Sequence, residues 1–231
     1  MNSLSEVWDS LISIQDYLIE KLNKDGTEYH EKSMEPFNHA GWTNRLWQGD
    51  GYRRAHIDTV DARSTKGLWM MHCCIQPNLD NNAPIFGLDV IAGENKVTGF
   101  FHDYSPVSSH DHDLSKEFAN MVADLDWSKK RELPDWAKAI FSDDMIAAGN
   151  VRAGTQDLTQ IVEISKSSVD YYLMRVAYFN ETMEIEQGKI AHNRYAHYQK
   201  QNPHTPRTMK SLGLSENDVD TFISECLFPE I

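Results

Sequence analysis

No stretch of this sequence approaches the roughly 18 consecutive apolar residues that a membrane span requires. The N-terminal run MNSLSEVWDSLISIQDYL alternates apolar with acidic residues and lacks a basic region followed by an apolar one, so it does not read as a signal peptide. Cysteine is scarce: Cys73, Cys74 and Cys226 are an odd set with no CxxC spacing. That excludes a written iron–sulfur or zinc site and suits buried free thiols in a reducing cytosol. No GxGxxG, Walker-type or GxSxG motif is present, so no nucleotide or flavin cofactor is expected. Positive charge is also short, with 22 Lys and Arg against 35 Asp and Glu and a net charge of −13. Phosphate backbones need clustered cations, so nucleic acid is not the expected partner. Local patches remain at Lys129–Arg131, Lys189–Arg194, and Arg207 with Lys210, each of which also fits a solvated surface.

What is present describes an ordinary globular chain, 40% hydrophobic and 25% charged over 231 residues. Leu4, Val7, Leu11, Ile14, Leu18 and Leu22 recur three and four apart and predict an amphipathic helix over residues 4–23. A polar, loop-like stretch follows to about residue 40. GWTNRLWQG, GYRRAHIDTV, GLWMMHCCIQ, PIFGLDVIAG and KVTGFFHDYSP then read as strands, each bounded by Gly, Pro, Asn or Asp. Their links are too short for crossover helices, which predicts an antiparallel meander with GENK as one hairpin turn. Short helices are expected between 113 and 141, and one more strand at 145–154. A long helix is expected over 156–188, continued over 189–201, with closing helices at 207–213 and 215–228. Helices before and after a meander predict a sheet covered by helices in one domain, 1–231.

Ionisable groups stand out where the strands are most apolar. By alternation His56, Asp58 and Val60 share a face of one strand, Met70, His72 and Cys74 a face of the next, and Gly87, Asp89 and Ile91 a face of the third. If these faces coincide, two carboxylates flank an imidazole over one pocket. A neighbouring carboxylate would favour the imidazolium, and apolar walls would raise the carboxyls, a setting in which a proton is held and passed near neutral pH. The same pattern fits a satisfied His–Asp pair that only fixes register, and the residues alone leave both open. His110-Asp111-His112-Asp113 has metal-ligand chemistry but no third ligand motif downstream, so Asp111 or Asp113 as a helix cap is the expected role. Arg152, Thr98, Asn202, His204 and Thr205 stand at element boundaries, where they can meet ligand carboxylates.

These segments, in order, resemble the ferredoxin-dependent bilin reductases, and within them the phycocyanobilin:ferredoxin oxidoreductase branch. The matching stretches are AHIDTV, MMHCCIQP, IFGLDVIAG, KVTGFF and HDYSP, then RELPDWAKAIFSD, YQKQNPHTPRTMKSLG and the closing SECLFPEI. The resemblance runs from about residue 40 onward. It implies a three-layer α/β/α sandwich around a central antiparallel sheet, with biliverdin IXα held between sheet and C-terminal helices. Reduced ferredoxin would supply electrons singly, with no metal or flavin bound in the enzyme. Under this resemblance Asp89 donates protons, His72 is its relay partner, His56 sits beside them, Thr98 and Arg152 meet propionates, and Asn202 and His204 lie at the pocket. Asp58 stands where the branch has a Glu, shorter by one methylene or about 1.5 Å of reach, and His204 stands where it has a Lys. These departures point to the phage-associated group that forms phycoerythrobilin, with phycocyanobilin as the alternative product. A cytoplasmic monomer in a photosynthetic host cell, with a phage genome as one source, is the matching expectation. A non-enzymatic bilin carrier would keep the pocket but not the three ionisable groups, and a metal hydrolase would use the HDHD loop instead.

Overall fold

Five side chains of the first helix, Val7, Leu11, Ile14, Leu18 and Leu22, are fully buried, and their spacing of three and four is what makes α1 (Glu6–Asp25) amphipathic. Ser5 caps it by accepting from the Trp8 N–H at 3.3 Å, while Glu6 and Asp9 suit the positive end of the helix dipole. The structure, a computed structural model, describes residues 5–108, 112–178 and 182–231.

The stretch expected to be a loop up to residue 40 is not one. It holds strand β1 (Gly26–Tyr29) and a 3-10 turn over Lys32–Phe37. Four residues are too few to show alternation, and β1 exists because β2 (Trp42–Gly49) offers it a pairing edge. From there the expected meander follows through β3 (Tyr52–Ala62), α2 (Arg63–Lys66), β4 (Leu68–Pro77), β5 (Ile85–Gly93) and β6 (Lys96–Ser105), every pair antiparallel. Gly67 ends α2 at φ 62°, a left-handed conformation that glycine adopts without strain. After α3 (Asp113–Val122) and α4 (Asp135–Lys138), the single strand expected at 145–154 is two short ones, β7 (Ile146–Ala148) and β8 (Val151–Arg152). Asn150 at φ 59° breaks them, and both pair with β6.

The expected 156–201 helix is likewise divided into α5 (Gln156–Val176) and α6 (Ile185–Gln199). Thr182 bridges to Asn81 and the Met183 N–H donates to the Asp80 carbonyl at 2.9 Å, so the chain leaves its helix to cover the β4–β5 link. α6 then packs so close to that link that a Cβ on Gly188 would fall 2.0 Å from the Leu79 carbonyl oxygen. α7 (His204–Ser211), α8 (Glu216–Thr221) and a π-helical turn, Phe222–Leu227, close the chain.

Strand alternation sorts the side chains into two cores. Ile57, Trp69, Met71, Cys73, Ile75, Leu88 and Val90 face α1, α3 and α5. Trp42, Leu46, Val60, Met70, Cys74 and Ile85 face the opposite way, toward Tyr195 of α6, Met209 of α7, Val219 of α8 and the π-helical turn. The result is three layers, helices on both faces of an antiparallel sheet. The vicinal cysteines are split between the faces, and all three thiols are free and buried.

Candidate functional site

Register decides what alternation left open. Asp58 pairs directly with His72, and His72 with Asp89, in one row that continues to Asn44 on one side and Phe101 on the other. Directly opposed residues on adjacent strands carry their Cβ atoms about 4.5–5.5 Å apart, so the imidazole stands between two carboxyls. The row faces the C-terminal helices. The next row carries His56 opposite Cys74, and the one on the other side carries Trp42 opposite Val60.

The inner end of this group is sealed and its outer end is open. Asp58 and His56 are 1% and 0% exposed, whereas His72 and Asp89 keep partly accessible surfaces. The Trp42 indole N–H donates to Asp58 Oδ1 at 2.6 Å, and His56 Nε2 lies 3.0 Å from Asn44 Oδ1. His56 Nδ1 and His72 Nδ1 are buried without a protein partner. Unmade hydrogen bonds at buried polar atoms cost free energy, and they concentrate where a ligand or a proton is handled. Phe228, just beyond the π-helical turn, sets its ring edge-on to His72 at 5.5 Å.

The charge states follow from burial. Loss of solvent raises both carboxyls to about 7; at Asp58 the Trp42 N–H opposes that rise and the Asp89 charge adds to it. Many protein atoms surround His72 and Asp89 and desolvate them, while their residual surface leaves a face for a ligand to meet. The expected imidazolium does not form. Burial lowers His72 to about 4, with the Arg54 cation adding to the fall. His56 is held well below its usual value by burial, Arg54 and His72. With both carboxyls partly neutral near pH 7, no full negative charge is present to hold His72 protonated, and desolvation wins.

The remaining expected residues lie apart from the row. Thr98 is half-buried at the β5–β6 irregularity, its hydroxyl donating to the Ile91 carbonyl at 3.0 Å. Arg152 lies exposed on β8 opposite Lys96, beyond Thr98 along the sheet, and is not joined to the row. Asn202 caps the turn into α7 by accepting from the His204 N–H at 3.0 Å, and the His204 side chain is exposed. His110 and Asp111 lie outside the described residues. The cap of α3 is His112, whose Nδ1 accepts from the Leu114 N–H at 3.1 Å, while Asp113 pairs with Lys116 at 3.0 Å.

Several neighbours escaped the sequence reading. Trp42 and Asn44 share a strand face, which alternation shows, but their partners emerge only from register. Arg131 donates to the Thr98 carbonyl and stacks 5.7 Å over Phe101, an exposed guanidinium at the mouth of the row that sequence distance had hidden. Arg54 is 3% exposed, with Nη2 donating to the Cys226 carbonyl at 2.5 Å and no ion pair among the described residues.

Comparison with known proteins gives concordant results. The profile of the family "Ferredoxin-dependent bilin reductase" matches residues 1–229. The phycocyanobilin:ferredoxin oxidoreductase of Prochlorococcus marinus (strain MIT 9515) is 26% identical over 198 residues, 80% of this chain and 76% of that protein. The protein of the same name from Synechococcus sp. (strain CC9902) is 32% identical over 99 residues, 43% of this chain and only 39% of that relative's length. The solved structure of PcyX superposes with a TM-score of 0.72 at 37% identity, covering 96% of this chain and 99% of that one. Phytochromobilin synthase from tomato, solved in complex with biliverdin, shares the fold with a TM-score of 0.70 at 14% identity, over 94% and 82% of the two chains.

Proposed function

This chain belongs to the ferredoxin-dependent bilin reductase family, and on that premise we propose that it reduces biliverdin IXα by four electrons to a phycobilin, favouring phycoerythrobilin. The observation that carries the reading is the row Asp58–His72–Asp89, in register on three adjacent strands and open toward the C-terminal helices. Four reduced ferredoxins give one electron each. Four protons, drawn finally from solvent, accompany them into radical intermediates of the bilin. The protein's part is to hold the tetrapyrrole and to place each proton.

Asp89, partly accessible and with a pKa of about 7, is the donor to the bilin. Neutral His72 passes protons between Asp89 and the sealed Asp58–His56 end. Thr98, Arg131 and Arg152 on one side and Asn202 and His204 on the other are the rim contacts for the propionates, with Arg131 the guanidinium nearest Thr98. Asp58 favours phycoerythrobilin because its carboxyl, anchored on Trp42 and one methylene shorter than Glu, does not extend to the exocyclic vinyl group. The names of the two curated relatives favour phycocyanobilin as the second reading.

An anaerobic assay with biliverdin, ferredoxin, ferredoxin reductase and NADPH tests this. Biliverdin absorbance should bleach, and the product should co-elute with authentic phycoerythrobilin. Asp89→Asn and His72→Gln should bind biliverdin yet stall or misdirect its reduction. No bleaching by the wild type overturns the enzyme reading, and full turnover by both variants overturns the assigned roles. Co-elution with phycocyanobilin selects the second reading.

A further inference from the structure

We propose that Trp42 is a positioning residue of this site: by holding one oxygen of Asp58, its indole N–H makes Asp58 the carboxyl that keeps negative charge and leaves the pair's proton on Asp89. The proposal rests on the reading that these two carboxyls deliver protons to the bilin. It adds which of them is loaded before the substrate reacts.

The two carboxyls stand on opposite sides of His72 in the same row, and their surroundings differ in solvent access, Asp58 being sealed and Asp89 partly accessible, and in their protein donors. Asp58 receives the Trp42 N–H at 2.6 Å, whereas among the described residues no hydrogen bond reaches the Asp89 carboxyl. An indole nitrogen only donates, so it stabilises an ionised carboxylate and offers nothing to a carboxylic O–H. It also cannot turn away. The Trp42 ring is wedged against Phe222 at 4.8 Å, Phe37 at 5.7 Å and the His39 ring at 5.9 Å. A rotatable hydroxyl would follow either protonation state, but this donor favours one.

The other titratable or charged groups on this face are His72 and Cys74 on β4, His56 and Arg54 on β3, Asp103 on β6, Tyr195 on α6, Cys226 in the π-helical turn, His39 against the Trp42 ring, and Asp89 itself; Asp103 is held by Ser105 and Ser142. Glu35 of the 3-10 turn and Glu225 of the π-helical turn are exposed to solvent. Two nearby carboxyls repel when both are ionised, so the state with a single proton is broadly populated. In that state the fixed Trp42 donor holds the charge on Asp58 more strongly than partial solvent access holds it on Asp89, and the proton goes to Asp89. Asp89 is also the member with surface open to the ligand side, so the loaded acid faces the bilin and the charged one lies behind it.

The test uses substrate-free full-length protein labelled with carboxyl-13C aspartate and 15N tryptophan. In the wild type the Asp89 carboxyl should titrate above the Asp58 carboxyl, and the Trp42 indole resonance should follow the Asp58 titration. In Asp58→Asn the indole should lose that titration. In Trp42→Phe, which keeps a ring against Phe37 and Phe222, the Asp58 titration should rise by roughly one pKa unit, the scale of one hydrogen bond to a charged group. The ratio of proton on Asp89 to proton on Asp58 should then fall about tenfold. In turnover, the alkaline limb of the pH–rate profile should move in the same variant, which a packing role alone does not produce. A wild-type split that is even or favours Asp58 overturns the proposal, and that measurement stands if Trp42→Phe fails to fold. An unchanged ratio in a folded Trp42→Phe also overturns it. If the wild type fails to bleach biliverdin while the split and its Trp42 dependence appear as stated, the proposed function falls and the placement of the proton remains.

Discussion

Ionising Asp89 inside the folded protein costs more than ionising it in the unfolded chain, because burial raises its folded pKa to about 7 from an ordinary 3.8. Between those values the folded state binds the extra proton, so this group's contribution to stability falls as pH rises from about 4 through about 7. Asp89→Asn removes that dependence. The variant should be more stable than the wild type at pH 8 by about 2 kcal/mol, after allowing for the residue's partial solvent access, and the gap should close toward pH 4. Urea midpoints at the two pH values measure it, and a gap that does not change with pH counts against burial as the cause. His72 works in the opposite sense. Its folded value of about 4 lies below the ordinary 6.5, so its neutral burial favours the fold above 6.5 and is lost as pH falls through about 4. At this scale His72 and Asp89 were legible as ionisable residues within apolar strands. The charge on His72 was not, because desolvation and the distant-in-sequence Arg54 outweigh the neighbouring carboxyls. Neither was Trp42, since nothing in GWTNRLWQG indicates that its indole meets residue 58.

Elements carried their own signals unevenly. Strands β2 to β6 announced themselves by alternation and turn residues, and α1 by its apolar spacing. β1, the break between α5 and α6 and the π-helical turn did not, because each depends on a distant partner: the β2 edge, the Asp80–Asn81 link and Arg54. The last of these has a measurable consequence. The turn Phe222–Leu227 places Phe222 on Trp42 and Phe228 on His72, and Arg54 Nη2 ties it down at the Cys226 carbonyl. Arg54→Gln should speed amide hydrogen exchange across residues 222–228 about tenfold, the worth of one hydrogen bond, and leave β3–β4 amides unchanged. Equal protection in variant and wild type would mean that the apolar cluster alone holds the turn.

For the whole molecule, charge is the property with a functional reading. The net charge is −13, and under the proposed function an acidic ferredoxin would have to approach it. Lys130, Lys189, Lys200 and Lys210 each lie within 3.8 Å of an acidic partner and offer little free charge. Among the described residues Lys129, Arg131 and Arg207 have no ion pair, and Arg131 lies at the mouth of the site. Lys129→Glu should slow ferredoxin-driven reduction several-fold at low ionic strength. The rates should converge with the wild type above about 0.1 M salt, where the screening length shrinks to roughly 10 Å. Turnover driven by a small chemical reductant should not change. Equal ferredoxin rates at low salt would place the docking surface elsewhere. The three-layer arrangement was readable because helices flank a meander in the chain. Which patch sits at the mouth was not, because that follows from how β6, β7 and the 129–131 segment pack.

The row from Asn44 through Asp58, His72 and Asp89 to Phe101 is pinned by the backbone ladder of five strands. Strand separation in a sheet is close to invariant at about 4.8 Å, and sliding a strand by one residue turns its side chains to the other face. The acid–base groups therefore occupy rungs of a fixed lattice and cannot drift gradually along it. Under the proposed function, new regiochemistry on this scaffold arises in discrete steps, by lengthening, shortening or exchanging the side chain on a rung. A small combinatorial library at positions 42, 44, 58, 72 and 89, with the backbone untouched, samples most of the proton-delivery geometries this sheet can offer.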